Sequence, residues 1–423
     1  MSNVSEQKLP FWHGVEPYHW MVFLGCWMGG IFDGMDSNLF AVILPNAIQE
    51  LSHSADKTVI SQMGSQVTFL FLIGWTLGGI VFGVLGDKLG RVKAMVLSIL
   101  LYSLFTGLAG FAQEGWQLAI CRFLTGLGIG GELVSISTLL SETWPERSRA
   151  FAVGSLLSSY QVGVFISGVI TSIIHDWRMA FFVGAVPALL AIFVQTKLHE
   201  PDKWHQSKEI KDTLPADDKS HPLKDIFTPE FRGSVTVGAV AFGGLLIGYW
   251  ASLAWIPTWI QDLVGPGGTG QEKSIATMYH GLAAVCGCLL SGYLADLLGR
   301  RSTIMVSYLG AFLVSWWMFS TVKEFSQWIY VFDAMLGFFI GIAQAIMYVY
   351  LPELFPTRVR ATAIGFCLNA GRLSAAIAAL YVGLVVSFFH GYAGACLAFS
   401  MSYLVAVLAG IWGRETRGEP LPD

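Results

Sequence analysis

Twelve separate stretches of mostly apolar residues constrain this chain more than any other feature. They run over 18–44, 63–85, 92–112, 117–141, 150–173, 179–198, 233–261, 274–295, 302–321, 327–350, 361–388 and 392–412. About 20 residues of helix cross the hydrocarbon core of a bilayer. Only helices and closed barrels satisfy their own backbone hydrogen bonds there. The expected fold is an all-α membrane protein with twelve transmembrane helices. Composition agrees, with 54% hydrophobic residues and 13% charged, where soluble domains carry about 25% charge. A soluble enzyme, a disordered chain and a disulfide scaffold are excluded. The first span is too long for a cleaved signal peptide and lacks a small-residue cleavage site after it.

Partners follow from the same composition. The net charge of −4 implies no nucleic acid. The six cysteines lie in apolar runs without metal spacing and read as packing residues. No HExxH, nucleophile elbow or P-loop is present, so no metal, cofactor, enzymatic centre or ATP-driven pump is expected. The lipid bilayer is the partner this composition implies, and the chain is expected to act as a monomer.

A polar stretch at 199–231, rich in Lys, Asp and Pro, reads as a cytoplasmic linker. It divides the chain into 1–198 and 232–423, six spans each. With both termini on the cytoplasmic side, 19 of the 25 Lys and Arg fall on that side. Lys57, Arg178, Lys273 and Lys323 fall outside, and Arg122 and Arg372 lie within spans. By the positive-inside rule this bias sets the topology, with the plasma (inner) membrane as the expected location.

The halves repeat each other. Gly83-x3-Asp87-x2-Gly90-Arg91 recurs 209 residues later as Gly292-x3-Asp296-x2-Gly299-Arg300. Glu142-Thr-Trp-Pro-Glu-Arg147-Ser-Arg149 recurs 211 residues later as Glu353-Leu-Phe-Pro-Thr-Arg358-Val-Arg360. The first motif follows the second span of each half, and the other follows the fourth. Parallel repeats of six spans pack as two pseudo-symmetric bundles with a site between them.

On these residues the chain resembles the major facilitator superfamily along essentially its whole length. Asp33-Gly-Met-Asp36 in span 1 resembles the DGxD element of aromatic-acid–proton symporters. Arg122 through Glu132, with Gly126 and Gly130, resembles a span 4 motif of sugar and organic-ion porters. Glu200-Pro-Asp-Lys-Trp204 is a loose version of the PESPRW element after span 6. Asn369-Ala-Gly-Arg372 in span 11 is similar to organic-acid porters. The Gln-Gln element of sugar symporters in span 7 and the Gly-Pro motif of drug antiporters in span 5 are both missing.

Ionisable residues inside spans are costly and mark functional candidates. Asp33 and Asp36 share a helix face. At 1.5 Å per residue, Asp36 lies about 12 Å and Arg122 about 8 Å from the outer surface, so Arg122 is expected to pair with Asp36 or with Asp33. These residues, with Glu132 as a second site, are the candidates for proton coupling; a fixed structural pair is the alternative. Arg372 lies near mid-depth, and its counterpart in the first half is Gln161. A charge present in one half only suits an anionic substrate, which guanidinium binds by a two-point fork. Asn369, Tyr249, Trp250, Tyr160, Gln161, Gln344 and Tyr348 are further candidates for contact with it. Asp333, only a few residues inside span 10, reads as a wet-vestibule residue.

At the helix ends Asp87, Arg91, Glu142, Arg147 and Arg149, and their repeats Asp296, Arg300, Glu353, Arg358 and Arg360, are expected to form a gating charge network that locks the cytoplasmic side. The expectation is a proton-coupled symporter that imports a small organic anion, such as an aromatic or other carboxylic acid, by alternating access. A carrier of neutral sugar-like or nicotinate-like solutes, a drug or metabolite exporter and a membrane sensor are the alternatives.

Overall fold

The computed structural model describes residues 14–145, 148–201, 204, 226–419 and 422. The first half comprises α1 (Pro17–Ser52), α2 (Lys57–Leu89), α3 (Arg91–Ala109), α4 (Gly115–Thr143), α5 (Arg149–Ile173), and α6 (Trp177–Val183) with α7 (Ala188–Lys197) as one broken span. The second half opens with α8 (Arg232–Ala251), a 3-10 turn and α9 (Ile256–Val264), together the seventh span. Next come α10 (Gln271–Leu298), α11 (Arg300–Thr321) and α12 (Trp328–Glu353). The last two spans are α13 (Thr357–Leu380) with α14 (Val382–Phe388), and α15 (Tyr392–Ser400) with α16 (Ser402–Trp412). The chain is a multi-pass integral membrane protein.

Eleven of these spans are long and apolar enough to cross a bilayer among the described residues. The twelfth, α1, is 36 residues long but carries Asp33, Asp36 and Asn38, which lower its mean hydropathy. The break in the seventh span falls at Pro257, in the first turn of α9, where its missing N–H costs no hydrogen bond.

Helix pairing repeats between the halves. α2 packs on α4 and α1 on α5, as α10 packs on α12 and α8 on α13. Close approach through glycine explains the tightest of these pairs. A Cβ at Gly126 or Gly130 of α4 would collide with the Phe71 or Trp75 carbonyl of α2. In the second half, Gly337 and Gly341 of α12 lie against the backbone of His280 and Ala284 on α10. The halves meet where α5 packs on α10 and where α2 packs on α13 and α14.

Both repeated motifs lie at one end of the bundle, the motif end. The opposite, far end is held shut across the halves. Lys57 Nζ lies 2.6 Å from Asp262 Oδ1. Lys273 Nζ donates to Asn46 Oδ1 at 3.3 Å, and the Gly383 N–H donates to Ser65 Oγ at 2.9 Å.

Candidate functional site

The first-half charges lie where α1, α3 and α4 pack together. Arg122 Nη1 donates to Asp36 Oδ2 at 2.9 Å, and neither side chain is exposed. Thr106 Oγ1 donates to Asp36 Oδ1 at 2.7 Å. The guanidinium lies 4.4 Å from the Phe71 ring centroid and 4.9 Å from that of Phe40, a cation–π box. Of the two expected partners of Arg122, the one found is therefore Asp36. The box is fully enclosed, which suits a fixed ion pair that joins α1 to α4.

Asp33, one turn away, has a different neighbour. Its carboxyl interacts with that of Glu132, and Tyr102 stands beside Glu132. All four carboxyl oxygens are buried and make no hydrogen bond of standard geometry. Gly29 makes the space, because a Cβ there would collide with Glu132 Oε1. Two buried acids face to face repel each other when both are charged.

Arg372 on α13 lies at the seam between the halves and is 9% exposed. Its Nη1 donates to Asn369 Oδ1 at 3.3 Å, and its guanidinium lies 5.9 Å from the Trp75 ring of the first half. Tyr348 of α12 is close by. Among the described residues no carboxylate forms an ion pair with Arg372, in contrast to Arg122. One turn along α12 from Tyr348, Gln344 Oε1 accepts from Gln161 Nε2 at 2.6 Å, so the two halves are bridged at the residue equivalent to Arg372.

Aromatic rings and amides close the seam toward the far end. Tyr249 donates its hydroxyl to Asn38 Oδ1 at 2.9 Å, and Asn38 Nδ2 donates to Tyr160 Oη at 3.4 Å. Trp250 packs between Phe71 and Trp75, with ring centroids 5.7 and 5.8 Å away. Trp250 is thus part of the seam in this closed arrangement, and Tyr249 lines a cavity beyond it. The cavity, of about 30 Å³ and bounded also by Asn38, Thr277, His280 and Asp333, has room for a water or two and none for organic cargo. Asp333 is not in a wet vestibule. It is 3% exposed, and its Oδ1 lies 2.9 Å from His280 Nδ1, because α12 presses against α10 at Gly337.

The motif end repeats a charge network in each half. Arg91 reaches Asp87 Oδ1 at 2.6 Å and Glu142 Oε1 at 3.0 Å. Arg300 reaches Asp296 Oδ1 at 2.8 Å and Glu353 Oε2 at 3.3 Å. These four ion pairs each stay within one half. Arg360 bonds carbonyl oxygens of Phe355 and Pro422 instead of an acid. Arg147 and the side chains of Arg149 and Arg358 lie outside the described residues. So does most of the 199–231 stretch.

The sequence reading gave no role to five contributors. Glu200 accepts from the N–H groups of Arg91, Val92 and Lys93 at 2.6, 3.2 and 3.2 Å. Glu415 does the same at α11, for Arg300 at 2.8 Å and Arg301 at 3.1 Å. A carboxylate at a helix N-terminus satisfies orphan donors and complements the dipole. Trp204 Nε1 donates to the Asp87 carbonyl at 3.2 Å, so the start of the 199–231 stretch is bound to the first half. His280 and Asn38 are the other two. Depth arithmetic along spans 8 and 10 was the available signal for His280.

A twelve-span bundle of two like halves, closed at one end and carrying an unpaired buried cation at the seam, defines a membrane transporter. The chain belongs to the Major Facilitator Superfamily, whose profile matches residues 26–379 and again 267–422. A Haemophilus influenzae protein named for metabolite transport is 31% identical over 403 residues, covering 94% of each chain. The cis,cis-muconate transport protein of Acinetobacter baylyi is 29% identical, covering 95% of each. The crystal structure of a D-xylose–proton symporter shares the fold, with a TM-score of 0.74 at 17% identity, 96% of this chain and 100% of that one.

Proposed function

We propose that this transporter is a proton-coupled symporter that imports a small organic anion, an aromatic or other carboxylic acid, by alternating access. The observation that carries the reading is Arg372. A buried guanidinium with no acidic partner is expensive. A cargo carboxylate, bound by its two-point fork beside Asn369 and Tyr348, would supply the missing charge. The likeness to a muconate transport protein supports the same class of cargo.

Asp33 and Glu132 are the proposed proton holders, because they are an acid pair without a cation. Asp36 and Arg122 neutralise each other and anchor α1 to α4 beside that pair. Asp87, Arg91, Glu142 and their repeats stiffen each half as it rocks. Their ties to Glu200 and Glu415 carry the motion of one helix end to the next. On the charge bias, the motif end and both termini face the cytoplasm of the inner membrane, and the chain works as a monomer.

The test is ligand-dependent thermal stabilisation of the purified protein with carboxylates, sugars and amines, followed by uptake into proteoliposomes. A ligand that binds only the folded state raises its stability by mass action. Stabilisation by carboxylates alone, with uptake driven by a pH gradient, is the expected result. Stabilisation by sugars or amines, or uptake indifferent to the gradient, would end the reading.

A further inference from the structure

The His280–Asp333 pair lies outside everything proposed above. It is in the second half, whereas Asp33, Asp36 and Glu132 are all in the first. His280 is 6% exposed and Asp333 is 3% exposed. Both line the small cavity that the Asn38–Tyr249 hydrogen bond helps to close. The other surroundings of the pair are known. α8 contributes the Tyr249 phenol, α1 the Asn38 amide, α5 the apolar Val164, and α9 Ile256 and Pro257. On α10 itself, Lys273 is two turns away and is held by Asn46 and Gln261. Among the described residues, His280 and Asp333 are the only charged or chargeable groups besides Tyr249 on the cavity wall.

We propose that His280 and Asp333 form a second proton-binding site, whose loading licenses closure of the far end. In the unloaded pair, His280 Nδ1–H donates to the Asp333 carboxylate, and the net charge is −1. A proton from water in the cavity adds to the free imidazole nitrogen, Nε2, while Nδ1–H keeps its bond to Asp333. The pair then carries one positive and one negative charge and is neutral overall. Sealing a net charge away from bulk water is costly, and sealing a hydrogen-bonded neutral pair costs much less. Closure of Tyr249 on Asn38 therefore favours the loaded pair, and by linkage loading favours closure. Release on the other side returns the proton to water and restores the −1 pair. After release the −1 pair favours reopening of the far end, which returns the empty carrier to its starting face. The inference rests on alternating access and not on the nature of the cargo.

The experiment needs no cargo. Spin labels are placed at Ala55→Cys and Gln271→Cys, on opposite halves of the far end, with Cys121 and Cys286 replaced by Ser. Electron–electron distances are measured in nanodiscs at pH 8 and pH 5.5. In the otherwise native protein, the short-distance, closed population should rise about threefold or more on acidification. In His280→Gln and in Asp333→Asn it should respond much less, although both proteins still sample the closed distance. Asp33→Asn, which leaves the pair intact, keeps a His280-dependent response. The proposal is overturned if the native protein shows no pH response. It is equally overturned if His280→Gln and Asp333→Asn both respond as the native protein does. If either variant misfolds, the conservative Asp333→Glu decides, because it should restore the response where Asp333→Asn loses it. A purely structural contact would leave the pH response of all folded variants unchanged.

Discussion

Breaking the Asp36–Arg122 pair should unfold the first half far more readily than removing both partners together. Arg122→Leu leaves the Asp36 carboxylate sealed with one hydroxyl donor, Thr106, at 2.7 Å. With the guanidinium 2.9 Å away from the carboxylate oxygen, the charge centres are about 4 Å apart. At an effective dielectric constant near 20, that attraction is about 4 kcal/mol. Removing one partner of a buried pair typically costs about 3–5 kcal/mol, so Arg122→Leu and Asp36→Asn should each lose stability in that range. Asp36→Asn with Arg122→Leu removes both charges and leaves only the loss of packing and hydrogen bonds. The double variant should recover most of the loss, with a coupling energy of roughly 2 kcal/mol or more. The assay is reversible unfolding in mixed micelles, followed by Trp fluorescence, for all four proteins of the cycle. The reasoning fails if either single variant stays within about 1 kcal/mol of the native protein, or if the coupling is below about 0.5 kcal/mol.

Other consequences concern coupling, capping and topology. Asp33→Asn and Glu132→Gln should each abolish pH-driven accumulation in proteoliposomes while equal-concentration exchange of labelled cargo continues, since exchange does not require the empty carrier to return; accumulation that survives both would remove the acid pair from the mechanism. Glu200→Gln and Glu415→Gln should each destabilise the protein by about 0.5–2 kcal/mol through loss of the carboxylate at the N-termini of α3 and α11, read by the same unfolding assay, with little effect expected on cargo affinity. Lys88→Cys, exposed in the last turn of α2 at the motif end, should resist a membrane-impermeant thiol reagent in intact cells and react in inverted vesicles; the opposite pattern would reverse the topology.

Much of this fold was legible because a bilayer imposes it. Apolar runs of span length leave few alternatives, and repeated motifs with the same offset reveal two like halves. Even α1, whose hydropathy falls because of Asp33, Asp36 and Asn38, is placed as a span by its neighbours and the repeat. The Asp36–Arg122 pair was legible because each residue's depth can be counted from a helix end. The same counting applied to His280 and Asp333 gives positions about nine and five residues from the far ends of α10 and α12, but it does not give rotation about the helix axis. That rotation is set by Gly337 and Gly341 on α12, which decide the face on which α10 sits. Glu200 was hidden for another reason. A loop carboxylate that folds back on a helix N-terminus 109 residues away has no periodic signal. The contact of Asp33 with Glu132 was not legible, because depth counted along α1 and α4 does not tell which faces of the two helices meet.

The central claim is that Arg372 awaits an anion, and cargo affinity tests it most directly. The measurement is calorimetric binding of the carboxylate that most stabilises the native protein, on Arg372→Lys and Arg372→Ala with matched melting curves. Truncating one partner of a buried hydrogen-bonded charge pair costs about 2–5 kcal/mol, or roughly 30-fold to several thousand-fold in affinity. Arg372→Ala should fall in that range. Arg372→Lys should fall between it and the native protein, since Lys keeps the charge and loses the fork. Binding by well-folded Arg372→Ala within about threefold of the native affinity would contradict the account.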